Sequence, residues 1–197
     1  MVTDVEKQII EAAKRVFLAK GYNETNMGMI AQEAGMARPA IYYYFRGKER
    51  IFNAVFDDIV QDFFPSILDI LKKESSLHER LENLVEAYVE QLKRNPLLPL
   101  FLVKELNRDP GLLIRQAFEN PTFNFPQQVL AWYQAAVGRG ELKDVPVFCI
   151  PFTALGLILT PFLARPAIES LAEGQFDEIL DAWKPFVVRQ LETLLKP

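Results

Sequence analysis

The chain has few of the residues that most often carry out chemistry. Its 197 residues include one cysteine, Cys149, and one histidine, His78. A single cysteine excludes an internal disulfide framework and a cysteine metal cluster. Cys149 stands in an apolar run, which is typical of an inert core thiol, and His78 stands in the polar stretch SLHER. We therefore predict no metal site and no cofactor.

The usual signatures of catalysis are also missing. The sequence has no glycine-rich phosphate loop and no metal-ligand spacing. An enzyme needs a base, a nucleophile or a metal in a plausible arrangement, and beyond His78 and Cys149 no candidate exists. We predict that the protein is not an enzyme. The first residues lack the apolar stretch of a signal peptide, so we expect a cytoplasmic protein.

Long apolar runs are scarce, and one segment approaches the length of a membrane span. Residues 145–163 read VPVFCIPFTALGLILTPFL. Prolines are tolerated in membrane helices, so they do not decide the question. The run has no second span beside it, and we predict a buried helix and no membrane partner.

Runs of alternating strand pattern are lacking, and helical periodicity dominates. Half of the residues are apolar, which is enough for a sizeable core. The sequence predicts an all-α fold. Beyond the first 47 residues we expect helices at 48–73, 76–94, 97–108, 111–119, 124–138, 146–164 and 175–195. Ser76 and Glu79 should form a capping box at the start of the helix over 76–94.

The segment Asn26 to Arg50 is the most specific part of the chain. It reads NMGMIAQEAGMARPAIYYYFRGKER. Asn26 is a good N-cap for a short helix, and Gly35 fits the left-handed residue that ends one. A second short helix then begins near Arg38, with a proline tolerated in its first turn. Two short helices joined by such a turn predict a helix-turn-helix, whose second helix enters the major groove of DNA.

The second helix carries the side chains that would meet DNA. Ile41 and Phe45 are four residues apart and should point into the core. Successive residues differ by about 100° around a helix axis, so at least two of Tyr42, Tyr43 and Tyr44 must face outward. Exposed tyrosines can donate to phosphate oxygens or press ring edges onto thymine methyl groups.

The charge of the chain is divided unevenly. The net charge is −4 overall, yet residues 36–50 hold four basic residues and one acidic residue. A whole-protein pI would hide this basic face. A local charge this modest argues against loose, nonspecific nucleic-acid binding as the main activity.

Residues 9–52 resemble the N-terminal domain of TetR-family transcriptional regulators without a gap. The resemblance is carried by Ile9, Ala12, Ala13, Val16, Phe17, Lys20-Gly21-Tyr22, Ile30-Ala31, Ala34-Gly35-Met36, Ile41-Tyr42, Phe45, Lys48-Glu49 and Phe52. It implies a three-helix DNA-binding domain over 1–47 and a helical ligand-binding and dimerisation domain over 48–197.

The resemblance also assigns residues to the DNA contact. It implies backbone contacts at Asn26 and Met27 and a phosphate contact at Lys48. The positions that face bases, phosphates or base edges are Arg38, Pro39, Ala40, Tyr42, Tyr43 and Tyr44. Family members often carry a hydroxyl residue at the positions of Ala37 and Ala40 and a glycine at Pro39. Those side chains lack hydrogen-bonding groups here, so Arg38 is the main candidate for direct base readout.

The remainder of the chain is rich in aromatic residues, and the resemblance implies a small apolar or aromatic ligand there. We predict ligand contacts at Phe64, Tyr88, Phe101, Phe118, Phe125, Trp132 and Phe152, although aromatic residues at helical spacing are often simply core. Lys104 or Glu105 could also orient a ligand, although a solvent-facing stripe of the helix explains both residues as well. The resemblance further implies a homodimer through about 146–164 and 175–195.

The sequence thus predicts a regulator, with three points left open. The expected function is that of a repressor released by its ligand from a palindromic double-stranded DNA operator. A ligand-independent DNA-binding protein would share the same N-terminus. No residue marks repression rather than activation, and neither the operator nor the ligand can be read from the chain.

Overall fold

A computed structural model describes residues 3–63, 65–111 and 125–197, with the side chains of 60–66 left out. The described helices are α1 (Asp4–Glu24), α2 (Met27–Glu33), α3 (Arg38–Tyr44), α4 (Lys48–Phe63), α5 (Pro65–Lys72), α6 (Leu77–Arg94), α7 (Leu98–Arg108), α8 (Phe125–Gly138), α9 (Cys149–Leu163), α10 (Arg165–Leu171) and α11 (Phe176–Leu195). No strand occurs in these ranges, and the all-α prediction is confirmed.

The described helices differ from the predicted ones in two places. The helix expected over 48–73 is described in two parts, α4 to Phe63 and α5 from Pro65, and residue 64 between them lies outside the described residues. The short helix α10 was not predicted. The helix expected at 111–119 falls almost entirely outside the described residues, as do the predicted ligand contacts Phe64 and Phe118.

The chain forms two compact units. The first, here called the N-terminal unit, is Met1–Asp62 with Leu100–Glu119, and the second, the C-terminal unit, is Phe63–Pro99 with Asn120–Pro197. Most of α7 therefore belongs with the helix-turn-helix, although it lies far along the chain.

The core of the N-terminal unit begins with α1. A capping box between Thr3 and Glu6 starts this helix. The buried side chains of the helix include Ile9, Ala12, Ala13, Val16 and Phe17. Helix α1 packs on α2, and α2 packs on α3. Gly21 interrupts the helical geometry of α1 with φ 78°, a backbone conformation that glycine adopts without steric cost.

In the C-terminal unit, α6 packs on α5, α9 and α11, and α8 packs on α5. The predicted capping box of Ser76 and Glu79 starts α6. Accepting hydrogen bonds from the backbone and hydroxyl of Ser76 lowers the pKa of the Glu79 carboxyl. This pair fixes the first turn of the helix on which α11 packs.

A proline inside α9 leaves one backbone carbonyl without its helical hydrogen bond, and a tryptophan of α11 donates to that carbonyl instead. Pro161 has no N–H to give to the carbonyl four residues earlier, which belongs to Leu157. The indole N–H of Trp183 on α11 donates to that carbonyl oxygen at 2.9 Å. The missing helical bond is thereby replaced by a bond between two helices.

The apolar run at 145–163 is less buried than expected. It forms α9, in which only Ile158, Pro161 and Phe162 are buried, while Phe152 is 73% exposed. Within the described ranges no single helix is both long enough and apolar enough to cross a membrane. Helices α9 and α10 reach that length and composition only together, with a 51° bend between them.

Candidate functional site

Capping and a glycine turn set the geometry of the α2–turn–α3 segment. The Asn26 side-chain oxygen accepts from the backbone amides of Gly28 at 2.9 Å and Met29 at 3.1 Å, which confirms the predicted N-cap. Gly35 has φ 65°, and the following amide of Met36 donates to the Ala31 carbonyl at 2.9 Å. These bonds close α2 and redirect the chain into α3.

Helix α3 buries one side and exposes the others. Ile41 is fully buried, whereas Tyr42 is 41% exposed and Tyr43 is 82% exposed. The expectation that at least two tyrosines face outward is confirmed. Tyr44 is half-buried, and its ring meets that of Tyr43 edge-on at 5.2 Å between centroids. Phe45 is only half-buried, because α3 ends there in extended backbone.

Arg38 stands at the exposed start of α3 and contacts a tyrosine one turn later. Its guanidinium carbon lies 5.6 Å from the Tyr42 ring centroid, and Nη2 donates to the Tyr42 hydroxyl at 3.4 Å. Pro39 is exposed and Ala40 is half-buried beside it. The outer face of α3 thus combines one cation with phenol groups and apolar surface, which suits both phosphate contacts and base edges.

The flanking positions differ in what they can offer to DNA. Asn26 is exposed, but the Met27 side chain is 95% buried, so only its backbone could touch DNA. Lys48 starts α4, and its ammonium donates to the Tyr22 carbonyl at 2.8 Å and lies 4.2 Å from the Tyr22 ring centroid. The Lys48 ammonium is therefore engaged within the protein in this conformation.

The described side chains that were predicted to contact a ligand are distributed over both units. Phe101 is fully buried in the N-terminal unit, where its ring lies 6.0 Å from that of Phe52. Tyr88, Phe125 and Trp132 are half-buried in the C-terminal unit. Burial raises the pKa of the Tyr88 phenol, which keeps it protonated at neutral pH.

An open cavity lies between α9 and α11. It has a volume of about 650 Å³ and is lined mainly by apolar side chains, including those of Phe152, Leu157, Phe186 and Leu194. Phe152 is the one predicted ligand residue among the residues lining this cavity. Because it opens widely to the surface, this cavity is a groove rather than an enclosed site. It lies on the two helices predicted to form the dimer.

Sequence reasoning missed one cluster in the N-terminal unit. Glu105 on α7 is 97% buried, and Arg108 contacts its carboxylate. Both side chains reach the end of α1. The charged Glu105 within LPLFLVKELN was the available signal, but a solvent-facing stripe explained it equally well. Among the described residues, no group of three histidine, cysteine or acidic side chains is arranged to hold a metal.

The helix-turn-helix and its exposed α3 define a DNA-binding protein of the transcription-regulator class. Residues 9–55 match the family described as bacterial regulatory proteins, tetR family. The chain is 30% identical over 137 residues, 70% of each chain, to the fatty acid metabolism regulator protein of Bacillus subtilis. The chain belongs to the TetR family of transcriptional regulators, and it is a regulator rather than an enzyme.

The chain is also similar to a second regulator and, in its fold, to a solved structure. The HTH-type transcriptional activator FasR of Mycolicibacterium smegmatis is 28% identical over 88 residues, which cover 45% of this chain and 40% of that protein. The fold matches the structure of a candidate fatty acid metabolism regulator of Clostridium perfringens with a TM-score of 0.72. That likeness covers 92% of this chain and 97% of the other at 21% identity, and it concerns the fold alone.

Proposed function

We propose that this regulator is a repressor, which binds a palindromic operator as a homodimer and is released by a small apolar or aromatic ligand. The observation that carries the DNA-binding part is the outer face of α3, where Arg38, Tyr42 and Tyr43 are exposed together. The functional division at residue 47 is part of this proposal, as is a cytoplasmic location without a membrane partner.

Each side chain on this face has a proposed role. Arg38 reads a base, and a guanine offers the two acceptors that a guanidinium fits best. Tyr42, Tyr43 and Tyr44 bind phosphates or base edges, and the apolar surfaces of Pro39 and Ala40 face the bases. At the flanks, Asn26 and the backbone of Met27 contact the DNA backbone. Lys48 contacts phosphate after its ammonium leaves the Tyr22 carbonyl.

The exposed apolar surface at and just before α9 supports the proposed dimer. In the single chain Phe148, Phe152 and Leu163 are all more than two-fifths exposed. An apolar helix this exposed needs a cover, and a second copy of the same two helices would provide one. These helices correspond to the predicted segments 146–164 and 175–195. Two recognition helices would then read half-sites roughly 34–36 Å apart or a multiple of that.

The proposed ligand site lies in the C-terminal unit, near the half-buried aromatic rings of α6 and α8. The names of two relatives refer to fatty acid metabolism, and an acyl chain is an apolar ligand of the proposed kind. We therefore propose fatty acids or their derivatives as the first ligands to test, and genes of fatty acid metabolism as targets. Release from DNA requires that the ligand prefer the conformation that fits the operator badly.

Activation is the second candidate function, because one relative is named as an activator. Repression and activation are distinguished by a reporter gene placed behind the operator. Reporter output that rises when the regulator is deleted supports repression, whereas output that falls supports activation. A purified protein that stays on DNA with every ligand tested would instead favour the ligand-independent alternative.

The experiment that tests the DNA-binding proposal is selection of sites from random double-stranded DNA by the purified protein. We expect recovery of a palindrome, and binding to it is then measured with palmitate present or absent. An Arg46→Ala variant is a matched control for Arg38→Ala, since Arg46 is exposed just beyond α3. Failure to enrich any sequence, with binding lost at moderate salt, contradicts sequence-specific recognition.

A further inference from the structure

Helix α7 turns one face toward the core of the N-terminal unit. Phe101, Glu105 and Arg108 are spaced at i, i+4 and i+7, so they share one face of the helix. Phe101 and Glu105 are 1% and 3% exposed, and Arg108 is half-buried. A helix that begins more than fifty residues after α3 therefore contributes a wall of the DNA-binding unit.

Glu105 holds the turn at the end of α1. Its Oε1 accepts from the backbone N–H of Tyr22 at 2.9 Å, and its Oε2 pairs with Nε of Arg108. Gly21 lies next to this carboxylate. A Cβ atom added to Gly21 would lie 3.5 Å from Oε1 of Glu105. A buried carboxylate with partners on both oxygens fixes the position of the backbone to which it binds.

Arg108 contacts the aromatic ring of Tyr22, whose backbone amide Glu105 binds. Its guanidinium carbon lies 4.2 Å from the Tyr22 ring centroid and 5.2 Å from that of Phe52. Such contacts between a cation and an aromatic ring are worth more when the pair is shielded from water, as this half-buried arginine is. The paired side chains of Glu105 and Arg108 are here called the α7 clamp.

The clamped turn leads directly into the helix-turn-helix. The Thr25 hydroxyl donates to the Gly21 carbonyl at 2.7 Å, and the Thr25 amide donates to the Tyr22 carbonyl at 3.3 Å. Asn26, the N-cap of α2, is the next residue. Movement of the Gly21–Tyr22 turn would therefore move the first turn of α2 and, through packing, α3.

We propose that Glu105 and Arg108 are positioning residues for DNA binding, because they hold the Gly21–Tyr22 turn that leads into α2. This role rests on the DNA binding proposed above and requires no ligand.

The variants Glu105→Ala and Glu105→Gln test the positioning role. We expect Glu105→Ala to weaken binding to the selected operator on the order of tenfold, within the usual range for coupled sites. The salt dependence should stay unchanged, because no phosphate contact is removed. The Tyr22 amide should exchange hydrogen faster. Glu105→Gln should lose less affinity, since its amide oxygen can still accept from that amide.

Lys104→Ala is the matched control, because Lys104 is exposed on the same helix and lies outside the clamp. A folded Glu105→Ala protein with the affinity and Tyr22 exchange rate of the parent protein overturns the proposal. If Glu105→Ala does not fold, Glu105→Gln and Arg108→Gln decide it: weaker operator binding in both supports the clamp, and parental affinity in both refutes it.

Failure of the proposed function can be distinguished from failure of the clamp. If the parent protein selects no DNA sequence, the proposed function fails, and Tyr22 amide exchange in the variants still tests the clamp.

Discussion

The bond between Trp183 and the Leu157 carbonyl gives the sharpest prediction about stability. Replacement of Trp183 with phenylalanine keeps an aromatic ring against Phe186, whose ring centroid lies 4.8 Å away, but removes the indole N–H. The Leu157 carbonyl cannot recover its helical bond, because residue 161 is a proline. A part-buried acceptor left without a partner costs about 1–3 kcal/mol in the free energy of unfolding.

A second substitution separates this bond from packing. Pro161→Ala restores a backbone N–H four residues after Leu157, so the carbonyl no longer depends on Trp183. We therefore expect Trp183→Phe to cost less by about 1 kcal/mol or more when residue 161 is alanine. Urea unfolding of the four proteins, each at the same protein concentration, measures this difference.

The outcome that refutes the reasoning is additivity. If Trp183→Phe costs the same free energy with either residue at position 161, the indole N–H does not replace the missing helical bond. The stabilising effect of Trp183 would then come from ring packing alone. An unchanged dependence of stability on urea concentration, the m-value, would show that the comparison concerns the same unfolding reaction.

Four further predictions concern the DNA face, the dimer and one helix end. Arg38→Ala should weaken operator binding by about 1–3 kcal/mol and relax preference at one base position, and full retention of sequence preference in a repeated selection would contradict this. Asn26→Ala should lower the stability measured in thermal unfolding by about 1 kcal/mol, whereas Asn26→Asp should keep the stability of the parent. Asn26→Asp should nevertheless bind DNA more weakly, because its carboxylate would face phosphate. Equal DNA affinity of the Asp variant and the parent would argue against contact with the DNA backbone at this position. Phe152→Glu should yield folded monomers in analytical ultracentrifugation, because this side chain is exposed in the single chain, and persistent dimers would remove it from the interface. The pKa of Glu79 is lowered in the folded protein, so the stability that its ionised carboxylate contributes is present above pH 4.5 and is lost as the pH falls below that value. Acid unfolding curves of the Glu79→Gln variant should not show this loss.

Local signals in the sequence predicted the helix-turn-helix well. The Asn26 cap, the left-handed Gly35 and the outward tyrosines all depend on backbone chemistry within a few residues, which periodicity and residue type reveal. The same applies to the Ser76–Glu79 capping box.

Contacts between distant segments could not be predicted in this way. Nothing near Glu105 in sequence shows that its carboxylate binds a backbone amide 83 residues earlier. Phe101 was predicted to contact a ligand and is buried in the N-terminal unit, and residue type alone does not distinguish a core aromatic from a ligand contact. Lys48 matched a phosphate-binding position, whereas its partner, the Tyr22 carbonyl, depends on where α1 ends.

The contact between Arg38 and Tyr42 affects the entropy of recognition. A free arginine side chain samples many rotamers and loses up to about 2 kcal/mol when it is fixed. Here the guanidinium already rests on a ring carried by the same helix, so part of that ordering occurs before DNA arrives. The recognition helix α3 has only one cation, Arg38. Preorganisation of this side chain therefore contributes part of the binding free energy that additional cations contribute in more basic regulators. Its discrimination between operators should vary less with salt than that of a more basic protein.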